Sequence, residues 1–264
     1  MFSQKKIWGL FLFILLSMSL NGCNAKDQLP KGVFKTTWQL VVIGDSSLFG
    51  LAEAYGKQIE KDNDVIVEIK DYAMPVLRAS TVLEVLQTGK SNNIRLATLS
   101  DDLKEAEFVV MFTNPLGSID PENPLDFESC FGCDTPGACQ PEVFTQYEAD
   151  LKAIWEEVIK LRNGKATVLR ATDIYNPLVS SWKTCNIFEA CDICWLNMSN
   201  AARSAAESYQ IPFLSRYDAF NGLNHEEDPV EKGFISDGEH TTKLAEDFTA
   251  QLMGEMGYAP TMLR

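Results

Sequence analysis

Short apolar runs recur along the chain, and the stretches between them place apolar residues at helical spacing. Trp38–Ile43, Val65–Ile69, Phe108–Phe112, Ala166–Arg170 and Ile211–Leu214 read as strands. The first and third are nearly continuous in apolar residues, as strands covered on both faces are. Leu48–Ile59 has helical spacing, Thr81–Gln87 begins a helix, and Asp101–Glu105 is a polar helical stretch. Pro141–Arg162 sets Phe144, Tyr147, Leu151, Ile154, Trp155, Val158 and Leu161 on one side, the stripe of a core-facing amphipathic helix. Asp192–Gln210 and Thr241–Met256 complete the helices, with loop from Leu214 to Gly238.

Strands that alternate with helices predict parallel βαβ units. The expected architecture is α/β: three layers, α/β/α, around a central, mostly parallel five-stranded sheet. Two stretches break the pattern. Leu116–Gln140 is rich in Pro, Gly, Asp and Cys, and Asn176–Ala190 is a second irregular insertion, its cysteines running on to Cys194. Loops this long are usually functional. In open parallel sheets, sites form beyond the carboxyl ends of the strands. Ser46, Asn114 and both insertions follow strand ends, so they are expected on one rim.

The first residues do not fit the pattern. Lys5 and Lys6 precede an apolar stretch, Ile7–Leu20, and then Leu20-Asn21-Gly22-Cys23. This order is that of a targeting segment, and its end resembles the lipobox of bacterial lipoproteins. The resemblance implies a signal peptide over residues 1–22, lipidation of Cys23, a tether over 23–34 and a single domain over 35–264. It also implies export and a lipid anchor at the cell membrane or surface. Without residues 1–22, which hold Lys5 and Lys6, 21 basic face 37 acidic side chains, a net charge of −16. Such a surface repels phosphate backbones and argues against nucleic acid as a partner.

Six further cysteines stand at Cys130, Cys133, Cys139, Cys185, Cys191 and Cys194. An even number in an exported chain predicts disulfides, and six cysteines allow 15 pairings. Cys130-x-x-Cys133 and Cys191-x-x-Cys194 also have the spacing of zinc thiolates or of a redox pair. Three bridges account for Cys139 and Cys185 as well, so no metal is expected. Phe131, Trp182, Phe188 and Trp195 are candidates for a pocket lining or for packing beneath the loops.

Two histidines, His225 and His240, are the only imidazoles. In Asp237-Gly238-Glu239-His240, an aspartate three residues ahead can fold back and accept the Nδ1–H, leaving Nε2 to take a proton from a serine. Ser46, in Gly44-Asp45-Ser46-Ser47 where the first strand ends, is the hydroxyl that such a base would activate. The competing reading makes Asp45, Ser46 and Asp237 helix caps.

Together these segments resemble the SGNH or GDSL hydrolases, a family of serine esterases. Gly44-Asp45-Ser46-Ser47 is similar to the first block, Phe112-Thr113-Asn114-Pro115 to the third, and Asp237-Gly238-Glu239-His240 to the last. The resemblance spans residues 38–256 and implies a flavodoxin-like fold and hydrolysis of small acyl esters, acetylated carbohydrates among them. It implies a triad of Ser46, Asp237 and His240, an oxyanion hole of Ser46, Arg78 and Asn114, and no cofactor. The chain departs from the family in three places. Ser47 replaces the usual leucine, Arg78 stands where the second block has glycine, and Phe112 and Pro115 flank Thr113-Asn114 in place of Gly-x-Asn-Asp. A binding module on the same fold is the rival class, and a thiol–disulfide exchanger using either Cys-x-x-Cys pair is a third.

Overall fold

The computed structural model describes residues 35–116, 129–134 and 139–261. The expected signal peptide, the expected tether and Cys23 lie outside the described residues, as do 117–128 and 135–138 of the first insertion.

β1 (Thr37–Gly44) pairs with β2 (Ile66–Asp71) on one side and β3 (Phe108–Phe112) on the other. β4 (Val168–Thr172) and β5 (Phe213–Leu214) extend the sheet, giving the order β2-β1-β3-β4-β5. Every pairing is parallel, a sharper result than the mostly parallel sheet the sequence predicts. Alternation along the strands divides the core. Val41, Ile43, Val109 and Met111 face one helical layer, while Leu40, Val42, Phe108, Val110 and Phe112 face the other.

The first layer contains α2 (Ala79–Thr88), α3 (Leu99–Glu105), α4 (Thr145–Arg162) and α6 (Phe188–Glu207). The second contains α1 (Leu51–Asn63) and α8 (Lys243–Glu255). The stripe predicted on α4 is buried core: Tyr147, Leu151, Ile154, Trp155 and Val158 are covered. Buried Arg162 at its end donates to the carbonyls of Leu103 and Lys104, which α3 leaves unpaired in its last turn.

Three local expectations are corrected. The fourth strand begins two residues later than Ala166. The second insertion is not irregular, since it contains α5 (Val179–Thr184) and the first turn of α6. The segment before Gly238, expected as loop, contains α7 (Arg216–Asn221), capped by Ser215 Oγ accepting the Asp218 N–H at 3.0 Å. Short buried helices carry too few residues for periodicity to separate them from loop.

All six insertion cysteines are paired: Cys130–Cys191, Cys133–Cys185 and Cys139–Cys194. Neither Cys-x-x-Cys closes on itself. Cys191 and Cys194 sit one turn apart on α6, so both point to the same side of that helix and take different partners. Beneath them Trp182 and Trp195 are fully buried, 5.1 Å apart edge to face, and Trp182 Nε1 donates to the Cys130 carbonyl at 2.6 Å. Phe188 packs on Trp182 and half-exposed Phe131 on Trp195. Packing is therefore the role the described structure gives these aromatics.

Candidate active site

The strand order reverses between β1 and β3, the switch point where α/β sheets open a crevice beyond their carboxyl ends. Gly44 of β1 is level with Phe112 of β3, so Ser46 and Asn114, two residues on, leave the sheet side by side. Gly44 has to be glycine: a Cβ there would lie 2.3 Å from Leu48 Cδ1 and 2.6 Å from the Phe112 carbonyl oxygen.

The helix that the sequence predicts from Leu48 starts later, at Leu51, and Ser46 is not next to it. That serine opens a three-residue 3-10 turn, Ser46–Leu48, and α1 starts only after Gly50, whose φ of 78° breaks the chain direction. The cap reading holds for Asp45 alone, whose Oδ1 accepts the Ser47 N–H at 2.9 Å. Ser46 caps no helix among the described residues and is half-buried.

Asn114 is clamped from both ends. Its side-chain oxygen accepts the Leu116 N–H at 2.9 Å, and its Nδ2 donates to Asp45 Oδ2 at 3.1 Å. One Nδ2 hydrogen remains for a ligand. Behind it Tyr147 donates to the Thr113 carbonyl at 2.7 Å, so the buried face of α4 fixes this turn. Phe112 and Pro115 therefore leave the position of Asn114 supported by other means. Arg78 forms a bridge with Asn114: the Asn114 N–H donates to the Leu77 carbonyl at 2.8 Å, and the Ala79 N–H to the Asn114 carbonyl at 3.2 Å. Arg78 is at the N-cap of α2 with its side chain exposed, and its N–H makes no backbone hydrogen bond among the described residues.

Asp237 and His240 occupy the tip of a loop closed by pairing of Ile235 with Thr241. Asp237 Oδ1 accepts the N–H groups of Glu239 (3.0 Å) and His240 (2.7 Å), and Oδ2 accepts the imidazole Nδ1–H at 2.8 Å. The His240 amide, then the His240 ring and the Glu239 amide, hold the Asp237 carboxyl well below the usual carboxylate range. It is thus ionised at neutral and mildly acidic pH. Capping of α8 falls to Thr242, not Asp237, which is free to orient the ring.

The structure brings Asp237 to His240 by direct hydrogen bond. It brings His240 to the serine turn by stacking, the imidazole lying 5.9 Å from the Phe49 ring at an interplanar angle of 15°. Phe49 closes the turn that Ser46 opens, through its N–H to the Ser46 carbonyl at 3.2 Å. No hydrogen bond joins Ser46 Oγ to His240 Nε2 among the described residues. His225, the other imidazole, sits elsewhere, held between Asp192 and Asp218 at 2.8 and 3.1 Å.

No family model and no curated protein matches the chain, whereas solved structures do. The lipase Lip_vut3 from a goat rumen metagenome superposes with a TM-score of 0.60 at 18% identity, over 84% of this chain and 98% of that one. The lipase/acylhydrolase of Enterococcus faecalis gives 0.54 at 13% identity, over 86% and 100%. A protein of Slackia heliotrinireducens assigned to the SGNH hydrolases gives 0.50 at 15%, over 84% and 100%. The fold is that of the SGNH hydrolases. At such identities the likeness carries the fold, and the chemistry of the site rests on its own geometry.

The sequence singles out neither Phe49 nor a buried arginine, Arg216, whose guanidinium reaches Ser47, and it marks Tyr147 only as part of the core stripe. One signal pointed to the arginine. A serine next to a buried strand end, where the family has leucine, needs a hydrogen-bond partner from somewhere in the chain.

Asn114→Ala removes a clamped donor and leaves Asp45 Oδ2 without that bond. With the oxyanion role that the family resemblance implies for Asn114, the variant is expected to lower kcat for a short acyl ester by about 10²–10³-fold. Steady-state kinetics on the folded variant measure this.

Proposed function

We propose that this chain is a serine esterase acting on small acyl esters, with acetylated carbohydrates as one substrate class. The observation that carries the reading is the Asp237–His240 pair, oriented at 2.8 Å and stacked on the turn that presents Ser46. In this reading Ser46 Oγ attacks the ester carbonyl while His240 Nε2 takes its proton. Asp237 keeps the Nδ1–H directed away from the serine and stabilises the imidazolium. The Ser46 and Arg78 N–H groups and the Asn114 amide receive the developing oxyanion. The alcohol leaves with the proton from His240; water then attacks the acyl-enzyme with His240 as base, and the acid departs as the bond to Ser46 Oγ breaks and His240 returns the proton to that oxygen. These steps call on no metal or organic cofactor.

We also propose that the domain works at a membrane surface, held by a lipid on Cys23 through the 23–34 tether. Among the described residues no helix is long and apolar enough to cross a membrane.

A hydrolysis panel of p-nitrophenyl acetate and butyrate, acetylated xylo-oligosaccharides and an acyl thioester tests the reading. Turnover of short acyl esters is expected. A folded, disulfide-intact protein that turns over none of them would make the chain a binding module on this fold.

A further inference from the structure

The guanidinium of Arg216 is buried, 1% exposed, and among the described residues it donates to neutral acceptors. Two are on Ser47, the carbonyl at 2.6 Å and Oγ at 3.0 Å, and the third is the Asp173 carbonyl at 2.7 Å. The Asp173 carboxylate is occupied by the Arg216 and Tyr217 N–H groups and by the hydroxyls of Ser199 and Ser215. The Asp173 and Asp45 carboxylates answer the guanidinium charge only through space, without a direct hydrogen bond from it, and burying charge in this way is weak evidence for a stabilising role. Where Arg216 lies gives it another use.

Ser47 is held at three points: its N–H by Asp45, its carbonyl and its Oγ by Arg216. Ser46 is thereby fixed between two immobilised neighbours. The Arg216 guanidinium also lies over the Tyr175 ring, 5.4 Å from its centroid. The Tyr175 hydroxyl donates to the Glu239 carbonyl at 2.6 Å, immediately before His240. Asp173 and Tyr175 both belong to the short segment leaving β4. One buried assembly thus touches the serine turn at one end and the histidine loop at the other, 194 positions apart in the chain.

We propose that Arg216 and Tyr175 form a brace that sets Ser46 and His240 in register, making both positioning residues for the reaction. The inference rests on the esterase reading above. It explains Ser47, since leucine there would offer the guanidinium no hydroxyl. It also ties the histidine loop to the serine turn without calling on a hydrogen bond between Ser46 and His240. Positions within an ångström matter here, because a small misplacement of reacting groups can lower a rate by about 10²-fold.

The test uses Tyr175→Phe, Ser47→Ala and Arg216→Lys in the full exported domain with p-nitrophenyl acetate. Tyr175→Phe and Ser47→Ala each remove one hydrogen-bonding group, and each is expected to lower kcat by about 10-fold with KM within about twofold, the pattern of a loss confined to the transition state. Arg216→Lys keeps the charge but not the two-pronged hold on Ser47. A fall of about 10²-fold is expected for it, and Arg216→Lys/Tyr175→Phe together should fall by less than the product of the two. Thermal unfolding is read in parallel, and if Arg216→Lys does not fold, the other two variants decide. Wild-type kcat in both of those variants overturns the brace while leaving the esterase standing, as does a loss of activity matched by the fraction unfolded. A wild-type protein inert to the substrate and to a fluorophosphonate overturns both readings.

Discussion

Ser46→Ala is expected to lower kcat for p-nitrophenyl acetate by about 10⁴–10⁶-fold, and His240→Ala by a similar factor. The double variant should be no worse than either single one. Non-additivity of this kind follows from the chemistry: without the hydroxyl there is nothing for the imidazole to deprotonate, and without the imidazole the hydroxyl is a weak nucleophile. Neither change touches the core, since Ser46 is half-buried and His240 lies at a loop tip. Unfolding temperatures should therefore stay close to the wild type. Additive losses in the double variant would place the two residues in separate roles.

The second large effect concerns stability. The three disulfides join residues 61, 52 and 55 positions apart, and all tie the first insertion to α6 or to the short connection that precedes it. Closing a loop of that size restricts the unfolded chain by an amount worth roughly 4 kcal/mol in the chain-entropy picture. Because the loops overlap, the contributions do not add. Cys130–Cys191 is fully buried against Trp182 and Trp195, so replacing both cysteines by alanine also opens space in that packing. Its expected cost is about 3–5 kcal/mol. Denaturant titration of oxidised wild type and Cys130→Ala/Cys191→Ala measures it. Mass spectrometry of the unreduced, alkylated protein should find none of the six thiols free.

How much of this could be read from the chain follows from the kind of signal involved. The continuous apolar runs at Trp38–Ile43 and Phe108–Phe112 mark strands buried on both faces, and both strands are where those runs place them. Asp237 and His240 are legible because their three-residue spacing is local and the turn that joins them uses only their own backbone. The Asn114 position is legible as a strand end, but its clamp by Asp45 is not, since 69 positions separate the two. Arg216 is harder still. It follows a two-residue strand, opens a six-residue helix, and acts 169 positions away on Ser47. Nothing periodic marks such a residue. The cysteine pairing was open among 15 arrangements because it depends on which face of α6 meets the first insertion, a tertiary fact.

The measurement closest to the central claim is covalent labelling with a fluorophosphonate, followed by digestion and mapping of the adduct by mass spectrometry. One adduct per chain on Ser46, formed far more slowly in His240→Ala, is the result expected of a serine activated by that imidazole. An adduct mapped to another residue, or none on a folded protein with its disulfides intact, would contradict it.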